Sequence, residues 1–180
     1  MDIPEEITEL WNRYKLDEKV KKHCIKVAEV ALKIAERIKE RGHDVDVDSV
    51  KKAALLHDIG RSITHDIDHF IHSGKIVRKE GFGEKIARIV ERHFLCGITK
   101  DDAKRLNLKV YGDFMPETIE EKIVCYADKI VRNCCEISFE EFLKRLDELK
   151  NRYPENEWLI EKTKERAIKL KRELKELGGL

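Results

Sequence analysis

No stretch of this sequence approaches the ~20 apolar residues that a bilayer-spanning helix needs. The opening Met1-Asp2-Ile3-Pro4-Glu5-Glu6 lacks the basic and apolar regions of a signal peptide. A cytoplasmic protein with no membrane partner is expected. Net charge is nearly absent as well, since Lys+Arg 37 and Asp+Glu 36 leave +1. That balance excludes a broad basic field for nucleic acid or a membrane surface, although a local patch remains open. The five cysteines, Cys24, Cys96, Cys125, Cys134 and Cys135, form no CxxC pair and are odd in number. They support neither a zinc ribbon nor a complete disulfide framework, and buried reduced thiols are expected. Internal repeats and low-complexity linkers are missing too. What is abundant is charge of both signs, 41% of residues against a usual ~25%, with only 9 Gly and 3 Pro. That composition resembles a heat-adapted protein held by surface ion-pair networks. An apolar share of 41% over 180 residues suffices for one folded core, and 7 His stand out in so short a chain.

Almost every segment repeats apolar residues at helical spacing; strand-like alternation is confined to Val45-Asp46-Val47-Asp48. The fold class is therefore all-α, a compact helical bundle of about seven to nine helices. Asp17 opens a long amphipathic run to about Arg41, stopped by Gly42, and Asp46 or Asp48 caps a second helix ending near Ile59-Gly60. A third spans roughly Asp68 to Glu80, and a fourth runs from Gly83 to near Cys96-Gly97. Capping-box spacings recur at Thr118/Glu121 and Ser138/Glu141, with Thr99/Asp102 a weaker variant, and Asn156 is placed to cap the last helix. That helix, about Glu157 to Leu177, mixes Lys, Arg and Glu densely and reads as a salt-bridged packing helix.

Several polar residues occupy positions where these helices should present apolar side chains to the core. His23 lines up with Val27, Val30 and Ile34; His57 follows Val50, Ala53 and Ala54; His93 follows Ile86, Ile89 and Val90. Asp128 sits amid Val124, Ala127 and Val131 with no Lys or Arg in its stripe. A buried carboxylate must be paired or metal-bound. One cation shared by inward His and Asp from four helices would offset all these costs together. His-Asp occurs at His43-Asp44, His57-Asp58 and His65-Asp66, but only His57-Asp58 closes an apolar run and precedes Ile59-Gly60. Both of its side chains can reach one ion at a helix end.

The run ALLHDIGR, within residues 53–61, resembles the central motif of the HD superfamily of metal-dependent phosphohydrolases. In that pattern the ligands are His23, His57-Asp58 and Asp128, spread over about residues 17–135. The resemblance implies one HD domain over residues 1–180, its N- and C-terminal helices packing on that core. Two-metal members carry two further His. His69-Phe70-Ile71-His72-Ser73-Gly74-Lys75-Ile76-Val77 resembles the context of the first, with Ser73 replacing a Gly, which nominates His69; His93 is the second. His43 and His72 are left to the surface. The chain is similar to small HD-domain nucleotide hydrolases and to stand-alone proteins with an HDIG motif. The GYP motif of the cyclic-dinucleotide phosphodiesterases is absent.

The resemblance implies a divalent transition metal, two ions in the full site, with His23, His57 and Asp128 holding one, His69 and His93 the other, and Asp58 bridging. Spacing does not choose among Fe, Mn, Zn, Co and Ni. Such ions lower the pKa of a bound water and neutralise charge on phosphoryl oxygens. Arg61 stands where relatives often carry a basic residue, and its fork suits two phosphate oxygens; capping the helix C-terminus is its alternative role. His65, in the loop with Thr64, either protonates the leaving group or is a solvent-exposed loop residue. Lys129 and Arg132 either add positive charge at the rim or serve surface ion pairs. Tyr111, Phe114 and Met115, in the segment Lys104–Met115, either stack on a base or pack against the core.

The expected activity is hydrolysis of a phosphoester or phosphoanhydride bond in a small nucleotide-like substrate. The rivals are a noncatalytic metal-stapled or nucleotide-sensing module and an RNA-end phosphatase or phosphodiesterase; a homodimer is left open.

Overall fold

The computed structural model describes every residue except Tyr111, so the expectation attached to that side chain lies outside the described residues. Nine α-helices are formed by the described residues: α1 (Glu5–Arg13), α2 (Glu18–Glu40), α3 (Val47–Leu56), α4 (His69–Lys79), α5 (Glu84–Glu91), α6 (Lys100–Arg105), α7 (Ile119–Lys129), α8 (Phe139–Arg152) and α9 (Glu157–Glu176). Short 3-10 turns follow α3 at Ile59–Ser62 and α5 at Phe94–Cys96, and a third joins α8 to α9 at Pro154–Asn156. The Val45–Asp48 alternation forms no strand: α3 starts at Val47. The two strands lie elsewhere, β1 (Val131–Arg132) and β2 (Cys135–Glu136), an antiparallel hairpin directly after α7.

Local chemistry explains the starts. The Asp17 carboxylate accepts the Lys19 N–H at 2.7 Å, and Asp46 does the same for Ser49 at 3.0 Å. Capping boxes close at Thr99/Asp102, Thr118/Glu121 and Ser138/Glu141, so the Thr99 box is as complete as the others. Asn156 precedes α9 but makes no side-chain cap bond.

The core is built around α2. Its Ala28, Ala31 and Ala35 are fully buried and let other helices approach closely, while Val27, Ile34 and Ile38 fill the same interior. α3 and α7 both pack on α2, and α5 packs on α3 and α7. Each fully buried Ile or Leu here contributes roughly 1.5–3 kcal/mol. From outside this group, Trp11 of α1 donates its indole N–H to the Leu55 carbonyl at 3.2 Å, anchoring the end of the helix that precedes His57. α9 packs across α7 and the Phe94–Cys96 turn, and α8 packs on α9. Cys24, Cys96 and Cys125 are buried free thiols as expected, but Cys134 and Cys135 in the hairpin are partly or wholly exposed.

Candidate metal centre

Five elements aim side chains at one point. His23 comes from α2 and Asp128 from the last turn of α7. His57 and Asp58 follow directly on α3, and His69 opens α4. His93 follows α5 and leads into the Phe94–Cys96 turn. The helices expected to run on to Ile59-Gly60 and Cys96-Gly97, α3 and α5, thus end before their histidines, at Leu56 and Glu91. His57 and His93 keep right-handed helical dihedrals, so each still projects from the inward stripe of the helix behind it.

The polar atoms are close. His23 Nε2 lies 3.0 Å and His57 Nε2 3.4 Å from Asp128 Oδ1. His69 Nε2 and His93 Nε2 lie 3.3 and 3.6 Å from Asp58 Oδ1. His57, Asp58, His69 and His93 are all at least 95% removed from solvent, whereas His23 and Asp128 are half-buried. Three compact ligand groups result, His23/His57/Asp58, His57/His93/Asp128 and Asp58/His69/His93, each with donor atoms within 4.8 Å of one another.

Backbone contacts set the tautomers. Nδ1 of His57, His69 and His93 lies 2.8, 2.9 and 2.6 Å from the carbonyls of Ala54, Asp66 and Val90 respectively. A carbonyl can only accept, so each Nδ1 carries a proton and each Nε2 is the atom turned to the cluster. At His57 burial opposes a charge, but Cys24, Asp58 and Asp128 outweigh it and raise the pKa well above the usual histidine value, so its Nε2 would give up a proton to a bound cation. Burial, reinforced by the neighbouring His93 and Arg61, pulls the His69 pKa down to about 4, so that ring is a neutral donor near pH 7, and burial likewise lowers the His93 pKa. Burial works against ionisation of Asp58 and Asp128. The surrounding His57, His93 and Arg61 outweigh it at Asp58, as Lys129, His23 and His57 do at Asp128, and both carboxyls fall well below the usual range.

This donor set fits a divalent cation. Among the described residues, His57 Nε2 and Asp58 Oδ1 are buried and have no hydrogen-bond partner. An orphaned polar atom on each side of the cluster costs about 1–3 kcal/mol unless something partners it, and a cation does.

Glycine and serine position the second half of the cluster. A Cβ on Gly60 would sit 2.1 Å from the His69 carbonyl oxygen, so only glycine lets the turn after Asp58 touch the start of α4. Ser73, fully buried, accepts the Gly60 N–H at 2.8 Å. The serine that replaces glycine in the motif therefore ties the His69 helix to the His57-Asp58 turn.

Arg61 donates from Nε to Asp58 Oδ2 at 2.7 Å and from a terminal nitrogen to His69 Nε2 at 3.2 Å. These bonds go to side chains and not to helix carbonyls, which gives the helix-capping alternative no support. Lys129 pairs with Asp128 Oδ2 at 2.6 Å. His65 is exposed on its loop and does not line the cavity above the cluster, so the structure does not bring that candidate to the site. Arg132 is exposed beside a neighbouring hollow, and His72 pairs with Asp68 at 3.4 Å.

The cavity has a volume of about 260 Å³ and opens over His23, Asp58, His69, His93 and Asp128, with Arg61 and Lys129 at its side. Its remaining wall comes largely from α8, which the sequence reading passed over in favour of Lys104–Met115. Phe114 instead packs edge-to-face on Phe70 at 5.6 Å, and the Met115 side chain abuts Gly97. An α8 signal was present: Phe142, Arg145, Leu146 and Leu149 share one helix face, with an arginine inside an otherwise apolar stripe.

A protein-family model described as HD domain matches residues 20–133, the span that holds all six clustered side chains. The chain belongs to the HD domain family. It is 43% identical over 130 residues to the uncharacterized protein MJ0778 of Methanocaldococcus jannaschii, covering 72% of this chain and 76% of that protein. It is 44% identical over 115 residues to the tRNA (cytidine(56)-2'-O)-methyltransferase of Picrophilus torridus, covering 64% of this chain but 32% of that protein. The chain thus matches about a third of that enzyme's length. The HD domain of the Listeria phosphodiesterase PgpH (L. monocytogenes) has the same fold, with a TM-score of 0.54 at 13% identity over 96% of this chain and 99% of that one. The same domain in complex with cyclic-di-AMP gives 0.53 at 17%, covering 92% and 94%.

Proposed function

We propose that this HD-domain protein is a metal-dependent phosphohydrolase that cleaves a phosphoester or phosphoanhydride bond in a small nucleotide-like substrate. The observation that carries the reading is the pair of orphaned buried atoms, His57 Nε2 and Asp58 Oδ1, at the floor of an open cavity with cations at its side. A structural metal site closes with protein ligands, whereas this cluster faces a cavity. His23, His57 and Asp128 would hold one ion, His69 and His93 a second, with Asp58 between them. When bound, divalent cations supply a water of lowered pKa and neutralise charge on the phosphoryl oxygens. Asp58 and Asp128, held ionised, match that positive charge. The Nδ1–H bonds of His57, His69 and His93 keep each Nε2 on target without rearrangement. Arg61 fixes Asp58 through Nε and contacts His69 through one terminal nitrogen, and its other N–H groups would be available to phosphate oxygens.

An RNA substrate is the second reading, favoured by the tRNA in the name of the Picrophilus relative. The small cavity and the use of α9's Lys162 and Arg166 on Asp102 favour a small molecule instead. The test is metal analysis of the purified protein together with hydrolysis of an aryl phosphate, a nucleotide panel and a short RNA, with and without chelator. Metal-dependent release of phosphate from small nucleotides is expected. Bound metal with no turnover on any of these substrates would leave a noncatalytic module.

A further inference from the structure

α8 lies beyond the residues matched to the family, yet it closes one side of the cavity over the His/Asp cluster. Phe142, Arg145, Leu146 and Leu149 line that side, and their i, i+3, i+4, i+7 spacing places them on one helix face. Three of the four are apolar, as an inward stripe requires. Arg145 is the exception. Arg61 and Lys129, the other cations on the cavity, are neutralised by Asp58 and Asp128. Among the described residues Arg145 forms no ion pair, not even with Glu141 or Glu148 one turn away, and it is an exposed residue that lines both this cavity and the neighbouring hollow.

The same cavity is also lined by the corner Phe94–Leu95. Leu95 and Cys96 both adopt left-handed backbone, with φ of 49° and 59°, a conformation costing about 1–3 kcal/mol at each non-glycine residue. Such strain concentrates where a side chain must be held in a particular place. The Phe94 ring is fixed from behind, stacked on Phe70 at 5.2 Å and edge-on to His69 at 5.1 Å. A rigid aromatic and aliphatic wall therefore stands directly beside a cluster residue.

We propose that the outer half of the cavity is a base-binding subsite. It takes the nucleobase of a single nucleoside phosphate between the Phe94–Leu95 corner and α8, with the phosphate at the His/Asp cluster and Arg145 engaging the base through its planar fork. This rests on the phosphohydrolase reading and adds the substrate class. Flat apolar walls suit a ring, and a guanidinium stacks on or hydrogen-bonds to a base, whereas an alkyl group would leave it without a partner. A volume of about 260 Å³ lies just below the ~300–1,000 Å³ of ordinary ligand pockets, which favours one base over two.

The experiment has two arms. In the first, the metal-free protein is titrated with nucleosides, which carry no phosphate, and amide chemical shifts are followed by NMR. Shifts concentrated at Phe94–Gly97 and along α8 are expected. In the second, kcat and KM of the metal-loaded protein are measured for nucleoside monophosphates, phenyl phosphate, an alkyl phosphate and a dinucleotide. Nucleoside monophosphates should be preferred, and Arg145→Ala should lower the kcat/KM ratio of nucleotide over phenyl phosphate by about tenfold, mainly through KM. The subsite is overturned if nucleosides leave those amides unmoved, if alkyl phosphates or dinucleotides are preferred, or if the variant slows all substrates by one factor. Loss of turnover on every phosphate would refute the phosphohydrolase reading instead, and the nucleoside titration would still decide the subsite.

Discussion

Asp58 joins the two halves of the cluster, with Oδ1 facing His69 and His93 and Oδ2 facing Arg61 and, at 3.8 Å, His57. Removing its carboxylate leaves the histidine lone pairs without the anion that balances a cation, and frees Arg61 to repel one. Asp58→Ala is therefore expected to lose both bound metal and turnover, as read by elemental analysis and steady-state rates on the same preparation. Near-normal activity in that variant would refute the proposed mechanism. The histidines divide at this scale. His23, His57, His69 and His93 enter the cluster; His72 pairs with Asp68, and His65 is solvent-exposed. The difference lies in which stripe each residue occupies, since His43-Asp44 and His65-Asp66 repeat the dipeptide in loops.

Two contacts between elements set the geometry that individual residues cannot. The first is Gly60 against α4. Gly60→Ala would drive a methyl into the His69 carbonyl, a backbone atom that moves only with its helix. A loss of about 1–3 kcal/mol in stability is expected, with metal content falling as His69 shifts away; calorimetry and elemental analysis on the variant check both. The second ties α6 to α9. Asp102, 1% exposed, accepts from Lys162 at 2.7 Å and from Arg166 at 2.6 Å, and Arg166 also reaches the Gly97 carbonyl. Burial raises the Asp102 pKa, but these two cations and the Thr99 amide and hydroxyl outweigh it, so the carboxyl titrates below its ordinary value. A folded pKa below the unfolded ~3.9 means the contribution is complete above about pH 4 and is lost as pH falls toward the folded value. Asp102→Asn should cost about 1–3 kcal/mol near pH 7, less than a fully buried pair because Lys162 is solvent-exposed. Its stability should also fall less steeply than that of the unmodified chain below pH 4 in urea titrations, and parallel slopes would show the pairing to be idle.

Across the whole molecule, helices from both ends of the sequence complete what the central segment begins. Trp11 secures the end of α3, while α8 and α9 cover the cavity and the turn after His93. No helix among the described residues is long and apolar enough to cross a membrane. Because the cluster draws on α2, the turns after α3 and α5, α4 and α7, a bound cation favours the folded state over the unfolded one. Saturation at a hundredfold excess over Kd adds about 2.7 kcal/mol per site. Chelation should therefore lower Tm by several degrees in thermal unfolding, and Asp58→Ala should abolish that response. An unchanged Tm on chelation would mean that no ion is bound at the cluster.

The sequence by itself determined the helical class, most helix starts and the residues of the His/Asp cluster, because each is written in short-range chemistry. A cap needs only its own first turn, as at Asp17, Thr118 and Ser138. A polar residue on an apolar stripe declares its inward direction before anything packs on it, as at His23 and Asp128. The missed features depend on residues distant in the chain. The hairpin at Val131–Glu136 is a two-residue pairing with no alternation to read, and Ser73 acquires its role only when Gly60 comes within reach. Arg61 was legible as a cation but not as the partner of Asp58 and His69. Which face of α8 lines the cavity, and that Arg145 does so without a carboxylate partner among the described residues, were decided by tertiary packing alone. Periodicity specifies that a helix has an inner face; only the assembled neighbours specify what that face looks upon.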